Sequence, residues 1–221
     1  MIRQRVLDKA EFNRLDLSGS ILDLPVEDAL AMCDALVAHG GRVHIDVIDE
    51  TYPRRIGVVD EVVRRIPRRL WDAVELHLMV GPDQPLDYPR FGRVVAHLRD
   101  PRDPGLAERL PLAGERWISL EPQLWQPEDV RTVVETVRPD GILIMLTPPA
   151  DAPTAANLDR LLLPSAVEAR SLRPIGVDGG ARPEHFAHLA ELGVSSVVVG
   201  RALFQTTKAR ATGAEQGGTS P

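Results

Sequence analysis

Ionisable side chains alternate along residues 42–48, a mostly apolar segment with the composition of a β-strand. Side chains on a strand alternate between its two faces, so His44, Asp46 and Ile48 share one face and the apolar residues between them share the other. In a parallel β/α-barrel the apolar face packs against helices and the other face points into the barrel, with active sites at the C-terminal ends of the strands. The segment therefore predicts an imidazole and a carboxylate at the mouth of such a barrel.

Two later strand-like segments add groups of the same kind. His77 faces inward within residues 73–79, and Asp178 arrives inward at the end of residues 174–178, just before two glycines. Two imidazoles and two carboxylates suit a divalent cation such as Zn²⁺, Fe²⁺, Co²⁺ or Mn²⁺. Each residue alone has a simpler interpretation as a core or turn residue, but the set, buried without an ion, would carry a steep desolvation cost. The predicted metal ligands are His44, Asp46, His77 and Asp178.

Strand-like runs alternate with helical patterns from about residue 15 to residue 204, which is typical of parallel strands joined by crossover helices. Eight such units in a chain of 221 residues predict a single-domain (β/α)8 TIM barrel of the α/β class. An open doubly wound sheet fits the alternation too, although its usual G-x-G-x-x-G fingerprint is absent. The predicted strands are residues 15–21, 42–48, 73–79, 93–98, 116–120, 141–146, 174–178 and 195–199, and the predicted helices include residues 26–39, 57–65, 127–137 and 183–192.

The two ends of the chain fall outside this alternation. Residues 1–13 are predicted to be an N-terminal extension with a short helix that plugs the bottom of the barrel, and residues 14–205 to form the barrel itself. Residues 206–221 have almost no apolar side chains and are expected to be disordered, which leaves the eighth helix short or missing. The N-terminal segment or a neighbouring subunit is then expected to cover the gap in the barrel wall.

The composition is that of an ordinary globular protein, with 43% hydrophobic and 26% charged residues. The net charge of −6 argues against nucleic acid or an anionic membrane as a partner. Cys33 is the only cysteine, which excludes an intrachain disulfide and fits a reducing compartment. No apolar run approaches the ~20 residues of a membrane span, and the N-terminus lacks the apolar region of a signal peptide. We therefore expect a cytoplasmic protein.

Several stretches of the chain form one ordered set with specific spacing. They are Ser20-Ile21-Leu22, His44-Ile45-Asp46-Val47-Ile48-Asp49, His77-Leu78-Met79-Val80, Met145, Val177-Asp178-Gly179-Gly180 and Gly200-Arg201-Ala202-Leu203-Phe204. Through this set, the chain resembles the ribulose-phosphate 3-epimerase family over roughly residues 18–204. The resemblance implies a metal-dependent barrel in which all four predicted ligands hold the catalytic metal. It also implies that Asp46 and Asp178 form the acid–base pair and that Met79 and Met145 line the site.

Some residues depart from the family pattern. Asp23 stands where the family usually has a serine, and Ile48 and Glu50 replace a methionine and a glycine. The loop at residues 147–154 contains three prolines and no glycine, whereas the family has a glycine-rich loop that closes over the substrate phosphate. After the last strand, the family's Gly-Ser is Gly200-Arg201. The four predicted metal ligands themselves match the family pattern.

The altered loop changes the expected mode of substrate binding. Glycine-rich loops bind phosphate because their N–H groups can approach the oxygens closely, and each proline removes one such donor. We therefore expect phosphate binding to be weak or differently built, with backbone N–H groups near the remaining glycines and an arginine fork as substitutes. His97, which is predicted to face inward on the fourth strand, is a further candidate for substrate contact. The predicted substrate-binding residues are Asp23, Met79, His97, Met145, Gly179, Gly180, Gly200 and Arg201.

Together these features predict a metal-dependent epimerase that acts at C3, beside the carbonyl of a ketose or ketose phosphate, through an enediolate. The divalent cation would act as a Lewis acid, with Asp46 and Asp178 as base and acid. Two alternatives stay open: an aldolase or decarboxylase that passes through the same intermediate, and a non-catalytic ligand-binding barrel. The expected partner is a small sugar or sugar phosphate, and the chain is expected to form a homo-oligomer.

Overall fold

The computed structural model describes residues 1–52, 57–58, 60–81, 83–110, 113–148 and 155–204. Eight parallel strands pair in chain order and the last pairs with the first, so the sheet closes. The predicted single-domain (β/α)8 barrel is thus confirmed, and each predicted strand bound lies within one residue of the observed one. The strands are β1 (Asp16–Ser20), β2 (Arg42–Ile48), β3 (Val74–Met79), β4 (Arg93–His97), β5 (Glu115–Leu120), β6 (Gly141–Met145), β7 (Ile175–Asp178) and β8 (Val194–Val199).

Helices and short 3₁₀ turns connect the strands, and none of the described helices is long and apolar enough to cross a membrane. The α-helices are α1 (Gln4–Phe12), α2 (Val26–Ala38), α3 (Asp60–Arg65), α4 (Gly105–Glu108), α5 (Pro127–Val137), α6 (Pro164–Leu172) and α7 (Phe186–Glu191). The 3₁₀ turns are Arg68–Ala73, Pro122–Leu124, Leu158–Leu162 and Pro183–His185.

Two helix predictions need correction. The helix predicted over residues 57–65 begins only at Asp60, because Val58 is held against the end of β2, where its N–H donates to the Asp46 carbonyl at 2.8 Å. The helix predicted over residues 183–192 divides into a 3₁₀ turn and α7. There the His185 N–H donates to the Arg182 carbonyl at 2.9 Å, which closes a tighter turn than an α-helix allows.

Apolar side chains form two cores, one between the sheet and the surrounding helices and one inside the barrel. The outward-facing residues of β2, such as Val43 and Ile45, are fully buried under the helices. A separate, smaller cluster lies within the barrel, where Gly141 makes room for the indole of Trp117: a Cβ at that glycine would lie 2.3 Å from the ring. The members of this inner cluster are Val95, Trp117, Leu143 and Val198.

The N-terminal helix lies on the barrel wall and not across the bottom. The prediction that it plugs the bottom of the barrel is therefore wrong. Just before α1, the Arg3 N–H donates to the Leu203 carbonyl at 2.9 Å, and Ile2 forms a β-bridge with Phe204. From these residues beyond β8, α1 runs back to the start of β1, and it contacts β1 and the 3₁₀ turn after β7. It therefore covers the wall beside β8 and β1, as an eighth crossover helix would. The predictions of a disordered tail and a short or missing eighth helix lie outside the described residues.

Candidate metal centre

The C-terminal ends of β2, β3 and β7 bring the four predicted metal ligands together. Each offers one nitrogen or oxygen atom, and these four atoms all lie within 4.8 Å of one another. Asp46 Oδ1 lies 3.1 Å from His44 Nε2 and 3.2 Å from His77 Nδ1. Asp178 Oδ2 lies 3.8 Å from each of the same two nitrogens. Among the residues that the structure describes, no other group of His, Cys, Asp and Glu side chains has this arrangement.

The spacing and chemistry of these atoms fit a shared cation. Metal–ligand bonds of about 2.0–2.2 Å place neighbouring ligands of one ion roughly 3–3.5 Å apart. The separations from Asp46 fall in that range, and those from Asp178 are slightly longer. The side chain of Asp178 is also the most accessible of the four, with 16% of its surface exposed, whereas both histidines are fully buried. Two imidazole nitrogens and two carboxylate oxygens could therefore hold one divalent cation.

The centre stabilises positive charge beside Asp46. Burial alone would raise the pKa of Asp46, but ion pairs and hydrogen bonds with His44 and His77 hold that pKa well below its usual value. Burial would lower the pKa of His44, but its interactions with Asp46, Glu75 and Asp178 raise that pKa well above its usual value. The carboxylates thus attract a cation to this point, whether the cation is a proton on an imidazole or a metal ion.

Glu75 sets the orientation of His44 from the side opposite the cleft. Its Oε1 lies 2.6 Å from His44 Nδ1. A proton on Nδ1, donated to Glu75, leaves the Nε2 lone pair facing Asp46 and Asp178, which is the orientation that a metal ligand needs. Glu75 is almost fully buried; burial would raise its pKa, but the hydrogen bond with His44 and the ion pair with Arg93 lower it to about 2.

Arg93 extends this buried network into the neighbouring strands. Its Nη1 donates to Glu75 Oε2 at 2.6 Å, and its Nε donates to Glu115 Oε2 at 2.9 Å. Its guanidinium carbon lies 3.9 Å from the ring centre of Trp117, whose Nε1 donates to Glu115 at 2.9 Å. The pairing of neighbouring strands places Glu75, Arg93 and Glu115 side by side on β3, β4 and β5. The ion pairs therefore hold Glu75 in the position from which it contacts His44.

A cleft of about 800 Å³ opens at the C-terminal end of the barrel, and both Asp46 and Asp178 line it. Most of the predicted substrate-binding residues also line this cleft. Among them are two buried methionines, which give the wall beside the ligands an apolar surface. Those that line it are Asp23, Met79, Met145, Gly179, Gly180, Gly200 and Arg201.

Two residues that depart from the epimerase pattern contact each other at the rim of the cleft. Arg201 Nε lies 3.4 Å from Asp23 Oδ2, and both side chains are more than a third exposed. The loops after β1 and β8 are therefore joined by an ion pair. The predicted binding of substrate by Arg201 stays a prediction, but its guanidinium already has a carboxylate partner.

His97 is the one predicted substrate-binding residue that does not line the described cleft. It is buried beside His77, with ring centres 5.6 Å apart, and packs against Tyr52 at 5.9 Å. Its Nε2 lies 3.8 Å from Glu121 Oε1, beyond hydrogen-bond distance. Burial lowers the pKa of His97, so the ring is neutral at physiological pH. The alternation of side chains along β4 correctly predicted that His97 points inward, but the structure does not bring it to the cleft.

Several residues near the centre were not predicted from the sequence. The Ser20 hydroxyl donates to Asp46 Oδ2 at 3.3 Å, on the side away from the histidines. Glu75 and Arg93 form the network behind His44, and the only sequence signal for it is a charged residue at an inward position of a strand. The basic side chains of α1 also reach the cleft. No pattern along the chain indicates that, because α1 could have packed against either end or any side of the barrel.

Comparisons with known proteins support the fold. No protein-family profile matches the chain, and no curated protein is a significant match. A 3-hexulose-6-phosphate synthase from Salmonella typhimurium is 17% identical over 85% of this chain and 90% of its own, with a TM-score of 0.56. A phosphoribosyl anthranilate isomerase from Thermus thermophilus is 16% identical over 85% and 88%, with a TM-score of 0.55. A tryptophan synthase α-subunit from Pyrococcus furiosus is 14% identical over 86% and 88%, with a TM-score of 0.56. Likeness at these identities establishes the TIM-barrel fold and nothing finer.

Proposed function

We propose that this chain is a metal-dependent epimerase that inverts C3 of a ketose or ketose phosphate. The observation that carries the proposal is the pair of carboxylates, Asp46 and Asp178, which reach one cleft from two strands and lie beside the same two imidazoles. Inversion beside a carbonyl needs a base on one face of the carbon and an acid on the other. The resemblance of the surrounding stretches to ribulose-phosphate 3-epimerases supports the same reaction.

Asp46 and Asp178 would exchange protons with opposite faces of the substrate. Their strands, β2 and β7, are separated around the barrel by β1 and β8, so the two carboxylates approach the cleft from different sides. One carboxylate removes the C3 proton, which leaves an enediolate, and the other returns a proton to the opposite face. A divalent cation held by His44, Asp46, His77 and Asp178 would supply Lewis-acid stabilisation of the negative charge that develops on the substrate oxygens.

Neighbouring residues support the proposed role of Asp46. The Ser20 hydroxyl donates to Asp46 Oδ2 and so restrains the orientation of that carboxylate. Met79 and Met145, each 3% exposed, present apolar surface beside it. Such surface limits the access of water to a carbanion-like intermediate, which water would otherwise protonate.

Hydrogen exchange at C3 tests the proposal directly. We expect the protein, loaded in turn with Zn²⁺, Fe²⁺, Co²⁺ or Mn²⁺ in deuterium oxide, to replace the C3 hydrogen of a five-carbon ketose 5-phosphate or of the free ketose with deuterium. Loss of the C3–H signal in proton NMR measures this exchange, and the same protein after chelation of the metal is the control. Absence of exchange across a panel of ketoses and ketose phosphates, in protein shown to hold metal, would contradict the proposal.

The products of the same incubation separate the alternatives. A new aldehyde would indicate an aldolase, and a lost carboxylate would indicate a decarboxylase, because both reactions can pass through the same type of intermediate. A protein that binds neither metal nor substrate under these conditions would fit the non-catalytic barrel. Inversion at C3 without a change in the number of carbon atoms is the result that the proposal predicts.

A further inference from the structure

We infer that the N-terminal helix α1 binds the anionic group of the substrate, a phosphate monoester, through Arg5 and Lys9 at the rim of the cleft. This inference rests on the proposed function for the identity of the rest of the substrate. The anion-binding side chains come from a segment that precedes the first strand, and not from the loops that follow the strands.

The position of α1 brings three basic side chains to the cleft. Arg5 and Lys9 are four residues apart, so they lie on the same side of the helix, and Arg3 immediately precedes it. All three line the same cleft as Asp46 and Asp178. The other side of α1, with Val6, Leu7 and Ala10, is buried in the core and anchors the helix on the barrel. The arrangement is therefore fixed by packing, while the basic side chains stay accessible.

Among the described residues that line the cleft, no carboxylate is left over to pair with these three basic side chains. Arg201 pairs with Asp23 at 3.4 Å, and Arg182 pairs with Glu184 at 3.9 Å. The remaining acidic residues of the described lining, Asp46 and Asp178, belong to the metal centre.

On α1 itself, the nearest carboxylate does not neutralise the basic side chains. Asp8 accepts a hydrogen bond from Gln4 at 2.8 Å. Within the described residues, neither Arg5 nor Lys9 has a carboxylate within 4.0 Å. Two cations on adjacent turns repel each other slightly, and a bound dianion would remove that repulsion.

The start of α1 adds a second attraction for an anion. The helix has no acidic residue in its first turn and no side chain that caps it, so the positive end of its dipole is not compensated. On the neighbouring wall, Gly179 and Gly180 both have positive φ (106° and 71°) and line the cleft without a side chain between backbone and ligand. A Cβ at Gly179 would lie 2.4 Å from Thr147 Oγ1, so only glycine fits there.

The sequence of the loop after β6 explains why another group would take over this task. Between residues 147 and 154, three prolines lack the N–H groups that a phosphate-binding loop supplies. Side chains that carry a full positive charge can replace such donors, since an arginine binds phosphate through two N–H groups and a lysine through its ammonium.

Binding of inorganic phosphate tests the inference without relying on catalysis. We expect the double variant R5A/K9A of the metal-loaded protein to bind inorganic phosphate at least about tenfold more weakly than the unaltered protein, by calorimetric titration, because two charge-assisted contacts are lost. The charge-conserving variant R5K/K9R should recover most of the affinity. The matched control R90A/R116A removes two exposed arginines near the N-terminal ends of β4 and β5, at the opposite end of the barrel, and should bind phosphate like the unaltered protein.

Kinetic measurements then connect this site to the substrate. R5A/K9A should raise KM for a five-carbon ketose 5-phosphate at least about tenfold while leaving KM for the free ketose unchanged. Equal phosphate affinity in R5A/K9A and the unaltered protein, or no phosphate binding in either, would overturn the inference. C3 exchange without any effect of R5A/K9A would overturn it and leave the proposed epimerase standing. Phosphate binding that depends on these residues, without C3 exchange, would support the anion site and contradict the proposed epimerase.

Discussion

Asp46→Asn and Asp178→Asn are each expected to slow the interconversion of the C3 epimers by about 10³-fold or more at saturating metal. General acid–base catalysis by a positioned carboxylate contributes roughly 10²–10⁴-fold, and an amide can neither accept nor return the proton. Asp46 contacts both imidazoles and Asp178 opens to the cleft, so the loss should be large at either position. The rate is measured by NMR from the appearance of the second epimer.

Because both carboxylates are also candidate ligands, metal content must be measured in each variant before the rates are compared. Asp16→Asn is the matched control, since Asp16 is exposed at the N-terminal end of β1, away from the cleft. That variant should retain full activity. A fully metal-loaded Asp178→Asn protein that works within about tenfold of the unaltered rate would remove the acid–base role from Asp178.

The largest effect on stability is expected from Arg93→Met. Arg93 is 3% exposed and lies between Glu75 and Glu115, so its removal leaves a buried carboxylate without its cation. Breaking a buried pair by removing one partner typically costs about 3–5 kcal/mol. We expect a decrease of that size in the free energy of unfolding, measured by urea denaturation.

The matched control is Arg116→Met, the same substitution at an exposed position of β5, which should change stability by less than about 0.5 kcal/mol. The double variant Glu75→Gln with Arg93→Met should lose less than the sum of the two single variants, because both charges of the pair are then gone. A loss below about 1 kcal/mol in Arg93→Met would show that the ion pair contributes little, and that Glu75 is held in place by other contacts.

The strands and the grouping of the four candidate metal ligands could be predicted because each follows from a local rule. Alternation along β2 fixes that His44 and Asp46 share a face, and the direction of parallel strands fixes that His77 and Asp178 lie at the same end. The structure brings these four side chains together. The same rule correctly pointed His97 inward, but it could not predict that the ring would pack beside His77 and away from the cleft.

What the sequence did not predict depends on contacts between distant segments. The network through Glu75 and Arg93 requires the register between β3 and β4, which alternation within one strand does not determine. The contact between Asp23 and Arg201 joins the ends of β1 and β8, which become neighbours only when the barrel closes. The position of α1 likewise depends on its contacts with residues beyond β8.

Binding of Co²⁺ tests most directly whether the four side chains form one metal site. Titration of the metal-free protein, followed by the visible absorption of the ion and by elemental analysis after dialysis, should give one Co²⁺ per chain. His77→Ala should weaken this binding at least about a hundredfold, since one of four ligands is lost, whereas His188→Ala, at an exposed position of α7, should leave it unchanged. Equal binding by the His77→Ala protein, or no stoichiometric binding of Co²⁺, Zn²⁺, Fe²⁺ or Mn²⁺ by the unaltered protein, would contradict the proposed metal centre.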